Sequence, residues 1–188
     1  MQWRNDSRRW GAVSQGLHWL VALLVIGLWG LGYYMAEILP DSALEQKFRL
    51  YQLHKSFGLT LFALVLLRLG WRLWQPHPLL PDRLTALERG LAHLTHWGLY
   101  AILLAMPVAG WISTEASPLD IPTEYFGLFA LPDPIPVNES LHELYAEVHE
   151  YLAFALAGLV ALHIAAALKH HLVDRDDTLK RMLPGSRL

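Results

Sequence analysis

Four stretches of the chain run without charge, or nearly so, for about the length of a membrane-crossing helix. No Asp, Glu, Lys or Arg occurs from Gly11 to Ala36, from Gly90 to Thr114, or from Tyr151 to Leu168. The stretch from Ser56 to Trp74 is broken only by Arg68 and Arg72. A hydrocarbon core takes about 20 apolar residues of helix. Only helices or closed barrels satisfy their backbone in lipid, and these runs are too long and too uniformly apolar for barrel strands. The pattern predicts four spans, near 14–38, 52–74, 90–113 and 146–170. The expected fold class is all-α: an integral-membrane four-helix bundle forming a single domain over residues 1–188.

Composition agrees, with 54% of residues hydrophobic and 17% charged. The net charge of −2 leaves no electrostatic footprint for a nucleic-acid partner. The distribution of basic residues carries more information. Arg4, Arg8 and Arg9 precede the first span, and Arg68, Arg72, Arg83 and Arg89 flank the second connection. Lys169, Arg175, Lys180, Arg181 and Arg187 follow the fourth span. Only Lys47, Arg49 and Lys55 fall on the other side, among eleven acids. The positive-inside rule then places both termini in the cytoplasm. The first span exceeds a signal-peptide core and no small-x-small site follows it, so it is expected to be retained. The absence of cysteine excludes disulfides, iron–sulfur ligation and covalent c-type haem attachment.

The connection 75–85 carries three prolines and is too short to fold alone, so His77 reads as loop. The longest connection, 113–140, is proline-broken, and Tyr125, Phe126 and Phe129 predict a structured segment folded down onto the outer membrane surface. Trp10, Trp19, Tyr33, Trp71, Trp97 and Trp111 fit interfacial aromatic belts.

Histidines within spans are the candidate chemistry. Ionisable groups there are costly and face the bundle interior. His149 and His163 lie fourteen residues apart on the fourth span, hence on one face and about 21 Å apart along the axis. His18 lies in the inner half of the first span, level with His163, and His54 lies at the outer end of the second, level with His149. Each taken alone also fits an interhelical hydrogen bond. Two level pairs suit haem iron, which needs only two axial ligands, better than zinc, which needs three or four. Ala153, Ala157 and Gly58 leave room for a flat macrocycle. Arg68, fourteen residues after His54, is a candidate partner for a haem propionate, with Arg72 one turn further. His93 and His96, near the inner end of the third span, are a candidate quinone or proton site. His170 and His142 are rival ligands, the first on the His163 stripe two turns on and the second one heptad before His149.

The chain resembles the bacterial cytochrome b561 family. The likeness lies in LHWL at 17–20, HKSFG with RLGWR behind it, GLAHLTHWGLYAILLAMPVAGW at 90–111, and HE…LHIAAALKHH…DDTLKRMLP at the end. The resemblance implies a multi-pass cytochrome of the bacterial inner membrane with two haem b groups. It implies His18 and His163 on the inner iron, and His54 and His149 on the outer. It further implies electrons moving from an outer donor, superoxide or a redox protein, to ubiquinone. Lys47, Arg49 and Lys55 would be a local anion entrance. Two alternatives stand beside an oxidoreductase: a haem subunit relaying electrons for a dehydrogenase or hydrogenase, and a histidine-lined metal or proton transporter.

Overall fold

The computed structural model describes residues 2–79 and 84–186. Arg83 and Arg187, counted above toward orientation, lie outside the described residues. The chain forms α1 (Ala12–Tyr33), α2 (Leu44–Trp74), α3 (Ala86–Glu115), a hairpin of β1 (Glu124–Tyr125) and β2 (Phe129–Ala130), and α4 (Glu139–Lys169). A π-turn extends α1 over Tyr34–Ile38, and another extends α4 over His170–Asp174. All four helices are long and apolar enough to cross a membrane. Below, the end that carries both termini is called inner and the opposite end outer.

Two helices begin earlier than the apolar windows. α2 starts at Leu44 and α4 at Glu139, each with about two turns of charged sequence before the apolar run. A helix need not stop where lipid does, since water satisfies its end groups equally well. Asn138 caps α4 by accepting the Leu141 N–H at 3.0 Å. Thr85 and Glu88 form a reciprocal capping box at the start of α3. Lys169 then ties the inner end of α4 to Glu88 at 2.9 Å.

Close packing joins α1 to α2 and α3 to α4, with α2 against α3 between the two pairs. The shared core is Val21, Val25, Leu28, Leu61, Val65, Tyr100, Leu103 and Leu156. Large apolar side chains such as Leu23, Ile26, Leu67, Phe154 and Leu162 point outward. In water that surface would drive association. In lipid it is the solvated face.

The inner end is closed by both termini. Asn5 is buried; its Oδ1 accepts from Gly11 N at 2.9 Å and Ser14 Oγ at 2.7 Å, and its Nδ2 donates to Pro76 O at 3.1 Å. Gln15 Nε2 and Trp19 Nε1 donate to the carbonyls of Arg181 and Met182, both at 2.9 Å. Asn5→Ala leaves two donors without their acceptor, at about 1–3 kcal/mol for a buried group. A lowered Tm in detergent, with the helical signal otherwise intact, is the expected result.

The outer end is roofed by the hairpin. Ala116 O accepts from Asn138 N at 2.9 Å, closing the base of the connection. Ser56, fully buried on α2, donates to Glu124 O at 3.0 Å and accepts from Phe126 N at 2.9 Å. Phe126 adopts a left-handed conformation (φ 49°), which packing of its ring edge-on to Phe57 at 5.0 Å helps to offset. The aromatic segment expected over the outer surface is thus a hairpin bound to α2 beside His54.

Candidate functional site

A heptad register on all four helices places the functional side chains. His18, Val25 and Gly32 follow at seven-residue steps on α1, and His54, Leu61 and Arg68 on α2. His96, Leu103 and Gly110 do the same on α3, and His149, Leu156 and His163 on α4. Seven residues return nearly to the same helix face after a rise of about 10.5 Å. The interior therefore stacks in three layers. An inner layer holds His18, Arg68, His96 and His163, and an outer layer holds Gly32, His54, Gly110 and His149. Between them Val25, Leu61, Leu103 and Leu156 are all buried.

Within the layers, rings meet across the bundle. His18 of α1 and His163 of α4 have centroids 6.1 Å apart, and His54 of α2 and His149 of α4 have centroids 6.3 Å apart. A metal held by one nitrogen of each ring, with bonds of about 2 Å, sets imidazole centroids about 6 Å apart. Both pairs have that separation. Among the described residues, neither layer brings three ligand atoms close enough together for a zinc set.

The surroundings also fit haem. Arg68 Nε donates to the Tyr100 hydroxyl at 3.0 Å, while its Nη1 is buried with no protein partner. That leaves an inward donor of the kind a propionate accepts. The guanidinium of Arg72 lies 5.9 Å from the ring centroids of both Trp10 and Tyr100. Both arginines line one small pocket with Ser14, Trp71 and Met182. Gly58, one turn from His54, has nothing within 4 Å of where a Cβ would stand.

The remaining predicted residues are spread differently. His96 joins the inner layer, its ring 5.4 Å from that of His163, whereas His93, one turn earlier on α3, is exposed. They do not share one site. Lys47 binds Asp41 at 2.6 Å and holds that carboxyl below the usual range. Arg49 pairs with Glu45, and Lys55 donates to Pro122 O at 3.2 Å. The three bases are thus drawn to three separate acceptors.

The rival ligands are engaged elsewhere. His170 Nδ1 lies 2.8 Å from Asp176 and 3.1 Å from Asp174. Burial raises the Asp176 carboxyl, but hydrogen bonds from Thr178 and His170 outweigh it and hold it below the usual range. His142 Nδ1 donates to Ser113 O at 2.7 Å. His77 sits edge-on to Trp10 in its loop. Tyr100, Gly32 and Gly110 did not stand out in the sequence. The fourteen-residue steps from His18 to Gly32 and from His96 to Gly110 are the signal that points to the two glycines.

These features define a four-helix membrane protein with two imidazole pairs in its interior, a class suited to membrane electron transfer. Known proteins agree. The prokaryotic cytochrome b561 family pattern matches residues 9–185, and the chain belongs to that family. Members of the family bind haem b and transfer electrons in membranes. The chain is 32% identical to cytochrome b561 homolog 2 of Escherichia coli over 186 residues, covering 99% of this chain and 97% of that protein. It is 29% identical to the probable superoxide oxidase CybB of Yersinia pestis over 190 residues, covering 96% and 98%. Cytochrome b561 homolog 1 of Escherichia coli is 28% identical over 171 residues.

Proposed function

We propose that the chain is a di-haem b cytochrome of the bacterial inner membrane, with both termini cytoplasmic. It passes electrons from an outer donor to ubiquinone. The observation that carries this reading is the pair of imidazole couples, 6.1 and 6.3 Å across, in layers fourteen residues apart. In this reading His54 and His149 ligate the outer haem, and His18 and His163 the inner. Arg68 holds an inner propionate through Nη1, with Arg72 stacked beside it. Bound in this way, haem supplies a one-electron carrier; the protein contributes ligation, orientation and tuning of potential. With both imidazoles of a pair engaged, a haem held there would have no position for oxygen, which suits transfer rather than oxygen binding. His96, beside His163, is placed to hand a proton to a quinone reduced at the inner layer.

Superoxide is the first candidate donor, by analogy with the Yersinia pestis relative, a probable superoxide oxidase. A second reading rests on the separate pairing of Lys47, Arg49 and Lys55: without a shared basic entrance, the donor is a redox protein docking at the outer face. Stopped-flow mixing distinguishes the two. Superoxide is expected to reduce the haems of the purified protein, and added ubiquinone to reoxidise them. The Lys47→Ala/Arg49→Ala/Lys55→Ala variant should react several-fold more slowly at low ionic strength, the difference shrinking in salt. Haems that dithionite reduces but superoxide does not would leave the partner-protein reading standing.

A further inference from the structure

The geometry points to α3 as the seat that orients His149: Gly110 admits its ring and the Met106 carbonyl fixes it, tuning the outer haem apart from the inner. This rests on the ligation proposed above. His149 Nδ1 lies 2.9 Å from Met106 O. A carbonyl only accepts, so Nδ1 carries the proton and Nε2 is left with its lone pair for iron.

The carbonyl of residue 106 lies one turn before residue 110 on the same helix face. A Cβ leans toward the N-terminus of its helix, so a side chain at 110 would lean over that carbonyl. A Cβ placed on Gly110 stands 2.9 Å from His149 Nδ1 and 3.0 Å from its Cε1. Something would have to shift, and the ring is what faces it. Gly32 occupies the corresponding place on α1 beside His54, but a Cβ there meets Cε1 at 3.4 Å and Nδ1 at 3.9 Å, both ordinary contacts. Of the two outer-layer glycines, Gly110 alone is required for the close approach.

The bond also distinguishes the ligands. His54 Nδ1 is buried with no hydrogen-bond partner among the described residues. Among the described residues, no hydrogen bond reaches the rings of His18 or His163. An N–H···O=C bond to a ligating imidazole raises its basicity and favours the more positive metal state. It therefore lowers the outer haem's potential relative to what the same ring would give unanchored.

The test is redox titration and low-temperature electron paramagnetic resonance on Gly110→Ala, with Gly98→Ala as the control. At Gly98 a Cβ meets only the flexible end of Leu159, at 3.3 Å. Gly110→Ala should raise one midpoint potential and change one low-spin signal, or lose that haem, while the other haem stays as in the wild type. Gly98→Ala should keep wild-type potentials. Unchanged potentials in Gly110→Ala, or the same change in Gly98→Ala, would overturn the assignment to a seat on α3. A wild-type chain lacking a second low-spin haem would instead refute the ligation on which it depends.

Discussion

Alanine at His18 is expected to leave one haem per chain, the outer one, and about half the wild-type change in the reduced-minus-oxidised spectrum, since a bis-imidazole site needs both ligands. His18 is the informative choice on the inner layer because it is the sole inner-layer imidazole contributed by α1. His163 has His96 beside it, with ring centroids 5.4 Å apart, so a vacated His163 position has another imidazole nearby. His96→Ala should therefore keep both haems while slowing reoxidation by quinone. At the outer layer, His54→Ala should remove the other haem and leave the inner one spectroscopically unchanged. The two losses should be independent, because the layers are separated by Val25, Leu61, Leu103 and Leu156 and share no ligand. Haem content by pyridine haemochrome against protein concentration measures all three. Loss of a haem in His96→Ala, with retention in His163→Ala, would move the inner ligand to α3.

Arg68→Leu is expected to lower the inner haem's midpoint potential and leave the outer one in place. The guanidinium lies in the inner layer with His18 and His163, two heptads from His54 on α2. A nearby cation favours the more reduced, less positive cofactor, so removing it favours the oxidised form. Hydrogen bonds to charged groups contribute about 1.5–3 kcal/mol. At about 59 mV per tenfold for one electron, that is a shift of roughly 60–130 mV. Arg68→Lys should fall between, because it keeps the charge but loses the fork that serves Tyr100 and the inward Nη1 together. A redox titration resolving two components checks both variants. An unmoved inner potential would make Arg68 a structural partner of Tyr100 alone.

Much of this was legible in the sequence because lipid imposes simple rules. Charge-free runs marked the four helices, and the α-helical period set the levels of His18, His54, His149 and His163 without any knowledge of neighbours. Helix starts were read less well. The apolar windows end where lipid ends, whereas α2 and α4 continue into water on capped or solvated turns. The outer connection announced itself through its aromatics, but its hairpin depends on Ser56, a small residue with no distinguishing pattern. Contacts between helices were least accessible. Tyr100 is one aromatic in a long apolar run until Arg68 is seen to reach it, and Gly110 a common membrane-helix glycine until His149 lies against it. The basic residues near His54 illustrate the converse: proximity in sequence did not bring Lys47, Arg49 and Lys55 together, because each found a nearer acceptor.

The central claim is that one chain holds two haems, each between two imidazoles. Electron paramagnetic resonance with spin counting on the oxidised, purified protein tests it most directly. Two low-spin ferric signals of bis-imidazole character, each integrating to one spin per chain, are the predicted result. A single low-spin signal, or a high-spin signal from an iron with an open axial position, would contradict it.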